Sequence, residues 1–154
     1  GRILIFYRQM SAKELLSKED REAVVNAIKR AELNTSGEIR VHIESLCKID
    51  ACDRAAYIFN YLKMYKTRER NGVLFYLALK SKRFAVIGDA GIDAKVPAGF
   101  WNSVKETLAE SFSKGDIAGG LVKGIEMAGE SLKSYFPYTS DDINEQPDDI
   151  SFGK

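Results

Sequence analysis

The amino-acid sequence predicts an α/β fold, specifically an α/β/α sandwich in which helices cover both faces of a small mixed β-sheet. Three observations lead to this prediction. Apolar residues recur at helical spacing in four segments, three shorter segments have strand-like patterns, and the two kinds of segment alternate along the chain. The predicted order is helix, strand, helix, strand, strand, helix and helix.

The four helices are predicted from capping residues and from stripes of apolar side chains. Ser17 and Asp50 are suited to cap the first two helices, and Pro97 is a favourable residue at the start of the third. Asp116 can cap the fourth helix, which closes before Pro137. The predicted spans are 17–33, 50–66, 97–113 and 116–135.

The three strands are predicted from alternation and from apolar runs. Residues 38–44 alternate strictly between polar and apolar, which indicates a strand covered on one face. Residues 73–79 are apolar without alternation, as expected for a central strand covered on both faces. A short connection to residues 83–87 favours an antiparallel hairpin, whereas the helix between the first two strands implies a right-handed parallel crossover.

This topology brings three polar segments to the same edge of the sheet. The starts of the first and second strands lie beside the end of the third, so residues 36–38, 70–71 and 89–93 are expected to converge. Carboxylate, amide and backbone oxygens are the ligands that calcium and magnesium prefer. We therefore predict a divalent cation as cofactor, calcium first and magnesium second. The candidate ligands are Glu38, Asn71, Asp89 and Asp93.

The same residues also fit a purely structural role, and both interpretations are open at this point. Asn71 directly precedes Gly72, and Asp89 lies two residues before Gly91. Both arrangements are typical of tight turns. Glu38 can form a surface ion pair with Arg70 or Arg40.

The single histidine and the two cysteines do not add a clear catalytic motif. His42 lies between charged residues on the polar side of the first strand and is expected to be a partly exposed hydrogen-bonding residue. Cys47 and Cys52 lack the spacing of a redox motif or a zinc site. They are expected to be reduced thiols, with a disulfide across a sharp turn as the alternative.

Composition and charge argue against several classes of protein. The chain has 154 residues, with 23 lysine and arginine residues against 22 aspartate and glutamate residues, for a net charge of +1. This balance gives no electrostatic reason to expect nucleic acid as a partner. No run of about 18 apolar residues is present, so we expect no membrane span and a cytoplasmic location.

The chain is predicted to form one domain with two dissimilar ends. Residues 1–10 show no periodicity that links them to the rest of the chain and are expected to be an extraneous remnant or a disordered start. Residues 11–137 form the single domain. Residues 138–154 are acidic, with few large apolar side chains, and are expected to form a loosely ordered tail that is a candidate contact for a protein partner.

Several segments in a fixed order resemble the TPM domain family. They are TSGEIRVHIE (35–44), TRERNGVL (67–74), FAVIGDAGI (84–92), FW (100–101), GDIAGGL (115–121) and YFP (135–137). The resemblance covers roughly residues 11–137, and the acidic ending is similar to that of bacterial members. It implies an α/β/α sandwich, in agreement with the pattern analysis.

The resemblance also implies three candidate functions. Family members include thylakoid proteins involved in photosystem II repair and an auxiliary subunit of a worm receptor, and the plant type is credited with calcium binding and acid phosphatase activity. This chain departs from the phosphatase pattern, because Arg70 replaces an acidic residue before Asn71 and residues 89–93 replace Gly-Tyr-Gly-Leu-Glu. Cation binding tolerates these changes better than hydrolysis does. If the domain is a metal-assisted acid phosphatase, Arg70 or Arg40 holds the phosphate. The third candidate function is that of a non-catalytic interaction module in the assembly or repair of a membrane complex.

Overall fold

Helices and strands alternate through the described part of the chain, residues 15–138 and 150–153 of a computed structural model. The helices are α1 (Lys18–Glu32), α2 (Ala51–Tyr61), α3 (Ala90–Asp93), α4 (Phe100–Ser113) and α5 (Ile117–Tyr135). The strands are β1 (Glu38–Glu44), β2 (Gly72–Ala78), β3 (Arg83–Gly88) and β4 (Ser151–Phe152).

The strands form one mixed sheet in the order β3-β2-β1-β4. β1 runs parallel to β2, with Glu38 opposite Gly72. β3 returns antiparallel to β2, with Gly88 opposite Val73. The starts of β1 and β2 therefore lie beside the end of β3, as predicted.

Helices cover both faces of the sheet, which confirms the predicted α/β/α sandwich. α1, α4 and α5 contribute to one apolar core together with Ile39, Val41 and Ile43 of β1. On the opposite face, α2 forms a second core with Leu74 and Tyr76 of β2. Because both layers cover β2, this strand is buried along its whole length, as its unbroken apolar run predicted.

Helix α2 is shorter than predicted, because the chain leaves the helical path at Lys63. The helix ends at Tyr61, Lys63 has a left-handed φ of 57°, and a single 3-10 turn follows at Met64–Lys66. The turn places Met64 in the second core, where it is fully buried. The prediction of one helix up to about Lys66 is therefore wrong, since the pattern does not reveal the turn that buries Met64.

Strand β1 is buried on both faces, so the prediction of a strand covered on one face is wrong. On the face toward α2, His42 is 6% exposed and Glu44 is 4% exposed. Arg54 reaches from α2 to the Glu44 carboxylate. The polar half of the alternation thus marks a buried polar network, in which Arg54 and Tyr76 donate hydrogen bonds to the Glu44 carboxylate.

The last described residues belong to the sheet. Ser151 and Phe152 form β4, parallel to β1 and opposite His42 and Ile43, and Ile150 before them is buried. This strand was not predicted, and these residues are not part of a loose tail. The predictions for residues 1–10 and for most of the acidic segment, 139–149, lie outside the described residues.

Both cysteines are free thiols, Cys47 buried and Cys52 exposed. In the ranges that the structure describes, no helix has both the length and the apolar character needed to cross a membrane.

Candidate functional site

Three chain segments meet at one edge of the sheet, called here the loop edge: residues 36–38, 67–72 and 88–93. The N–H of Asp89 donates to the carbonyl of Gly72 at 2.9 Å, and the N–H of Gly91 donates to the carbonyl of Arg70 at 2.8 Å. The side-chain amide of Asn71 donates to the hydroxyl of Ser36 at 3.1 Å. These bonds confirm that the three segments converge.

Thr67 shapes the loop that leads into β2. Its side chain is buried, its carbonyl accepts a hydrogen bond from the N–H of Arg70 at 3.2 Å, and its hydroxyl accepts one from the N–H of Asn71 at 3.1 Å. Arg70 adopts a left-handed φ of 53°, which is uncommon for a residue with a side chain. The loop therefore holds Arg70 and Asn71 in a defined orientation.

Arg70 forms a bidentate ion pair with Asp89. Nε of Arg70 donates to Oδ2 of Asp89 at 2.6 Å, and Nη2 donates to Oδ1 at 2.8 Å. The Asp89 side chain is 7% exposed, against 53% for Arg70, and it also accepts a hydrogen bond from the N–H of Ala90 at the start of α3. The sequence analysis offered Arg70 as a partner of Glu38, whereas the structure pairs Arg70 with Asp89.

Asn71 and Glu38 are buried at the loop edge, although both are polar. Asn71 is 1% exposed and Glu38 is 2% exposed. The Ser36 hydroxyl that receives the Asn71 amide N–H donates in turn to Glu69 at 2.6 Å. Oδ1 of Asn71 is buried and has no hydrogen-bond partner among the described residues. The structure thus leaves one buried carbonyl oxygen of the predicted ligand set without a proton donor.

The remaining predicted site residues are more dispersed. Asp93, at the end of α3, accepts a hydrogen bond from the indole N–H of Trp101 at 3.0 Å. Arg40 lies opposite Leu74, further along β1 than Glu38. Within the described ranges, no three histidine, cysteine, aspartate or glutamate side chains are grouped as metal ligands. An ion at the loop edge would therefore also need amide, backbone or water oxygens.

A second polar cluster, which the sequence analysis did not identify, surrounds Glu44 beneath α2. The carboxylate accepts hydrogen bonds from Nε and Nη2 of Arg54, each at 2.9 Å, and from the hydroxyl of Tyr76. Burial acts to raise the pKa of Glu44, but the hydrogen bonds from Arg54 and Tyr76 outweigh it and lower that pKa. Burial, together with the bond to Glu44, raises the pKa of Tyr76. Glu44 is thus a stable anion, and Tyr76 is a neutral donor.

His42 connects this cluster to the edge strand β4. Its Nδ1 lies 2.7 Å from the hydroxyl of Ser151, and its Nε2 lies 3.6 Å from the Glu44 carboxylate. Burial lowers the pKa of His42 despite the opposing effect of Glu44. The expectation of a partly exposed histidine is wrong, because β4 and the polar network enclose the ring. The alternation of polar residues in β1 did not indicate this cluster, because the sequence does not show that Arg54 lies over the strand.

We expect acidification from about pH 7.5 to about pH 5.5 to lower the melting temperature through His42. The pKa of His42 is below its ordinary value of 6.5 in the folded state. The unfolded chain therefore binds more protons as the pH falls through that value, and the folded state loses stability. Because His42 is the only histidine, the variant His42→Gln should show a flatter pH dependence in thermal denaturation measured by circular dichroism. Equal slopes for the two proteins would contradict this assignment.

The solved structures that are similar to this one include two described here. The NMR structure of the BA42 protein from the psychrophilic bacterium Bizionia argentinensis is 47% identical in sequence, covers 91% of this chain and 97% of its own, and superposes with a TM-score of 0.84. The N-terminal domain of the cg2496 protein from Corynebacterium glutamicum is 16% identical, with 86% of this chain and 82% of its own covered and a TM-score of 0.63. The second likeness shows a shared fold.

The family assignment comes from the sequence model of the TPM domain, which matches residues 10–131. No curated protein sequence matches the chain. The matched range includes the whole loop edge and the elements α1 to α4, so it contains the convergence of segments described above. Since the match extends over well more than half of the sequence, this chain belongs to the TPM domain family.

Proposed function

We propose that this domain binds a divalent cation at the loop edge, with calcium as the first candidate and magnesium as the second. The observation that carries the proposal is the buried Oδ1 of Asn71, which has no hydrogen-bond partner among the described residues. Its amide nitrogen is already oriented by Ser36 and its backbone N–H by Thr67. The carbonyl oxygen is therefore fixed in place while its lone pairs stay available.

The free-energy cost of burying Oδ1 of Asn71 without a hydrogen-bond donor supports a bound ligand at this oxygen. A buried acceptor without a donor typically costs about 1–3 kcal/mol, and a cation or an ion-bound water removes this cost. The buried carboxylate of Glu38 lies on the neighbouring strand, opposite Gly72, the residue after Asn71. An amide carbonyl and a carboxylate are the ligand types that calcium and magnesium take.

Asp89 and Asp93 complete the proposed ligand set, and each must exchange a present contact. The Asp89 carboxylate is held by the guanidinium of Arg70, and Asp93 accepts from Trp101. A cation at Asp89 thus competes with a positive side chain that is more than half exposed. We infer that Arg70 swings into solvent when the ion binds.

The phosphatase alternative has weaker support than cation binding. It needs a guanidinium that can hold a phosphate, and Nε and Nη2 of Arg70 are engaged by Asp89 unless an ion first takes that carboxylate. A phosphate-binding role of Arg70 or Arg40 stays a prediction, to be tested by hydrolysis of a generic phosphomonoester once an ion is shown to bind.

Amide chemical shifts during a calcium titration, with magnesium as competitor, test the proposal. We expect saturable shifts at residues 36–38, 71–72 and 88–93, and about 2.7 kcal/mol of added stability when calcium is at 100 times its dissociation constant. Asn71→Ala should lose the saturable shifts. The matched control Asn102→Ala changes an exposed asparagine on α4 and should bind like the wild type.

The outcomes separate binding from misfolding. The spectrum of Asn71→Ala outside the loop edge should stay close to that of the wild type, which shows that the fold persists. A titration that leaves the loop-edge amides unmoved, or shifts in Asn71→Ala equal to those of the wild type, would exclude this site.

A further inference from the structure

The backbone of Arg70 is fixed on both sides of the residue, whereas its side chain reaches into solvent. The N–H donates to the carbonyl of Thr67 at 3.2 Å, and the carbonyl accepts from the N–H groups of Gly91 at 2.8 Å and Ile92 at 3.3 Å. The side chain is 53% exposed. The guanidinium can therefore leave the loop edge by rotation about side-chain bonds alone, while these backbone hydrogen bonds keep the shape of the loop.

The carboxylate of Asp89 has a second source of orientation besides Arg70. Oδ1 accepts hydrogen bonds from Nη2 of Arg70 and from the backbone N–H of Ala90, both at 2.8 Å, and Oδ2 accepts from Nε of Arg70 at 2.6 Å. The N–H of Asp89 donates to the carbonyl of Gly72. When the guanidinium leaves, the bond from Ala90 still orients the carboxylate, and Oδ2 becomes available to another cation.

The buried position of this carboxylate makes a positive partner necessary. The Asp89 side chain is 7% exposed, and a buried charge without a partner is costly. The guanidinium of Arg70 supplies the positive charge, and a divalent cation at the same oxygens would supply it instead. Because like charges repel strongly at contact distance, the guanidinium and the ion compete for Asp89.

We propose that Arg70 is a tethered competitor that sets the calcium affinity of the loop edge. This inference rests on the proposed cation site and adds the residue that regulates it. Only molecules in which Arg70 has released Asp89 bind the ion, so the apparent dissociation constant is the intrinsic constant divided by the fraction of such molecules. With the ion pair closed in about 90% of molecules, Arg70 weakens calcium binding about tenfold.

Substitutions of Arg70 in the full chain test the competition. Arg70→Gln removes the charge and is unbranched at Cβ like arginine, so it adds no strain to the left-handed backbone. This variant should bind calcium about tenfold more tightly than the wild type. Arg70→Lys keeps the charge but loses the bidentate geometry, and its affinity should lie between those of the other two proteins.

Arg68→Gln is the matched control. Arg68 is an exposed arginine of the same loop and forms no ion pair with another described residue. Its substitution removes the same charge without freeing Asp89. Because solvent and salt screen exposed charges, the calcium affinity should change by less than about twofold.

Calorimetric calcium titrations give the affinities, and NMR of the Arg70 side chain shows the exchange directly. Nε of Arg70 donates to Asp89 in the ion pair. On addition of calcium to the wild type, the Nε–H resonance should move toward the position of a solvent-exposed arginine. If Arg70 only supported the fold, this resonance would stay in place.

The outcomes separate the competition from the cation site itself. If the wild type binds calcium at the loop edge and Arg70→Gln binds no more tightly than Arg68→Gln, the competition is excluded and the cation site stands. If the wild type shows no calcium binding at the loop edge, the cation site is excluded and the competition falls with it. Should Arg70→Gln fail to fold, an unmoved Nε–H resonance in the wild type, or an Arg70→Lys variant with wild-type affinity, overturns the proposal.

Discussion

Replacing Glu44 with alanine should destabilise the domain by about 1–3 kcal/mol, the typical cost of leaving a buried hydrogen-bond donor without its acceptor. Glu44 is 4% exposed and accepts hydrogen bonds from Arg54 and Tyr76. Without the carboxylate, the guanidinium of Arg54 loses both of its bonds to Glu44, and the Tyr76 hydroxyl is left in an apolar core without its acceptor. This loss is a large fraction of the roughly 5–15 kcal/mol that stabilises an ordinary domain.

Urea denaturation at neutral pH measures the effect of Glu44→Ala. The matched control is Glu110→Ala, which removes a carboxylate that is 74% exposed and lies 3.4 Å from Lys114. That variant should change the free energy of unfolding by less than about 0.5 kcal/mol. If the two substitutions cost the same, the buried network around Glu44 makes no net contribution to stability.

The sequence was informative wherever a local contact decides the structure. Ser17, Asp50 and Asp116 were recognised as helix caps, and each accepts a hydrogen bond from a backbone N–H in the first turn of its helix. Capping involves residues two or three positions apart, so the sequence displays both partners. The order of the three predicted strands was accessible in the same way, because short connections leave few topologies.

Features that depend on distant contacts were not predictable. The left-handed turn at Lys63 accompanies the burial of Met64, and β4 exists because residues 151–152 find a free edge of β1. The alternation in β1 could not show whether the polar face of the strand contacts solvent or forms a buried polar network. Charged residues are found on both kinds of face. The missing information was Arg54, whose position above the strand is a tertiary contact.

The candidate site was predictable in position but not in bonding. Topology placed the loop edge correctly, yet it could not tell which acid Arg70 would hold, because Glu38 and Asp89 both reach this edge. The left-handed backbone at Arg70 and the two bonds to Asp89 decide between them. Neither feature is visible in a pattern of residue types.

Replacing Gly91 with alanine should destabilise the domain by about 3 kcal/mol or more and should also abolish cation-dependent shifts at the loop edge. A Cβ atom on Gly91 would lie 2.0 Å from the carbonyl oxygen of Glu69 and 2.6 Å from that of Arg70. Both obstacles are backbone atoms, so no side-chain rotation relieves the overlap. In an open helix, alanine is preferred to glycine by about 1 kcal/mol, and here the close approach of the two segments reverses that preference.

The same clash predicts which segments are displaced in the Gly91→Ala variant. The N–H of Gly91 donates to the carbonyl of Arg70, so pushing α3 away pulls on the loop that orients Asn71. Gly115→Ala is the control, because that glycine has a φ of 79° and open space around it. It should cost only about 1 kcal/mol from backbone strain and leave the calcium titration unchanged. If Gly91→Ala has wild-type stability, α3 and the loop do not approach this closely. If the variant is destabilised but keeps the calcium-dependent shifts, the proposed ion site does not depend on the contact between α3 and the loop.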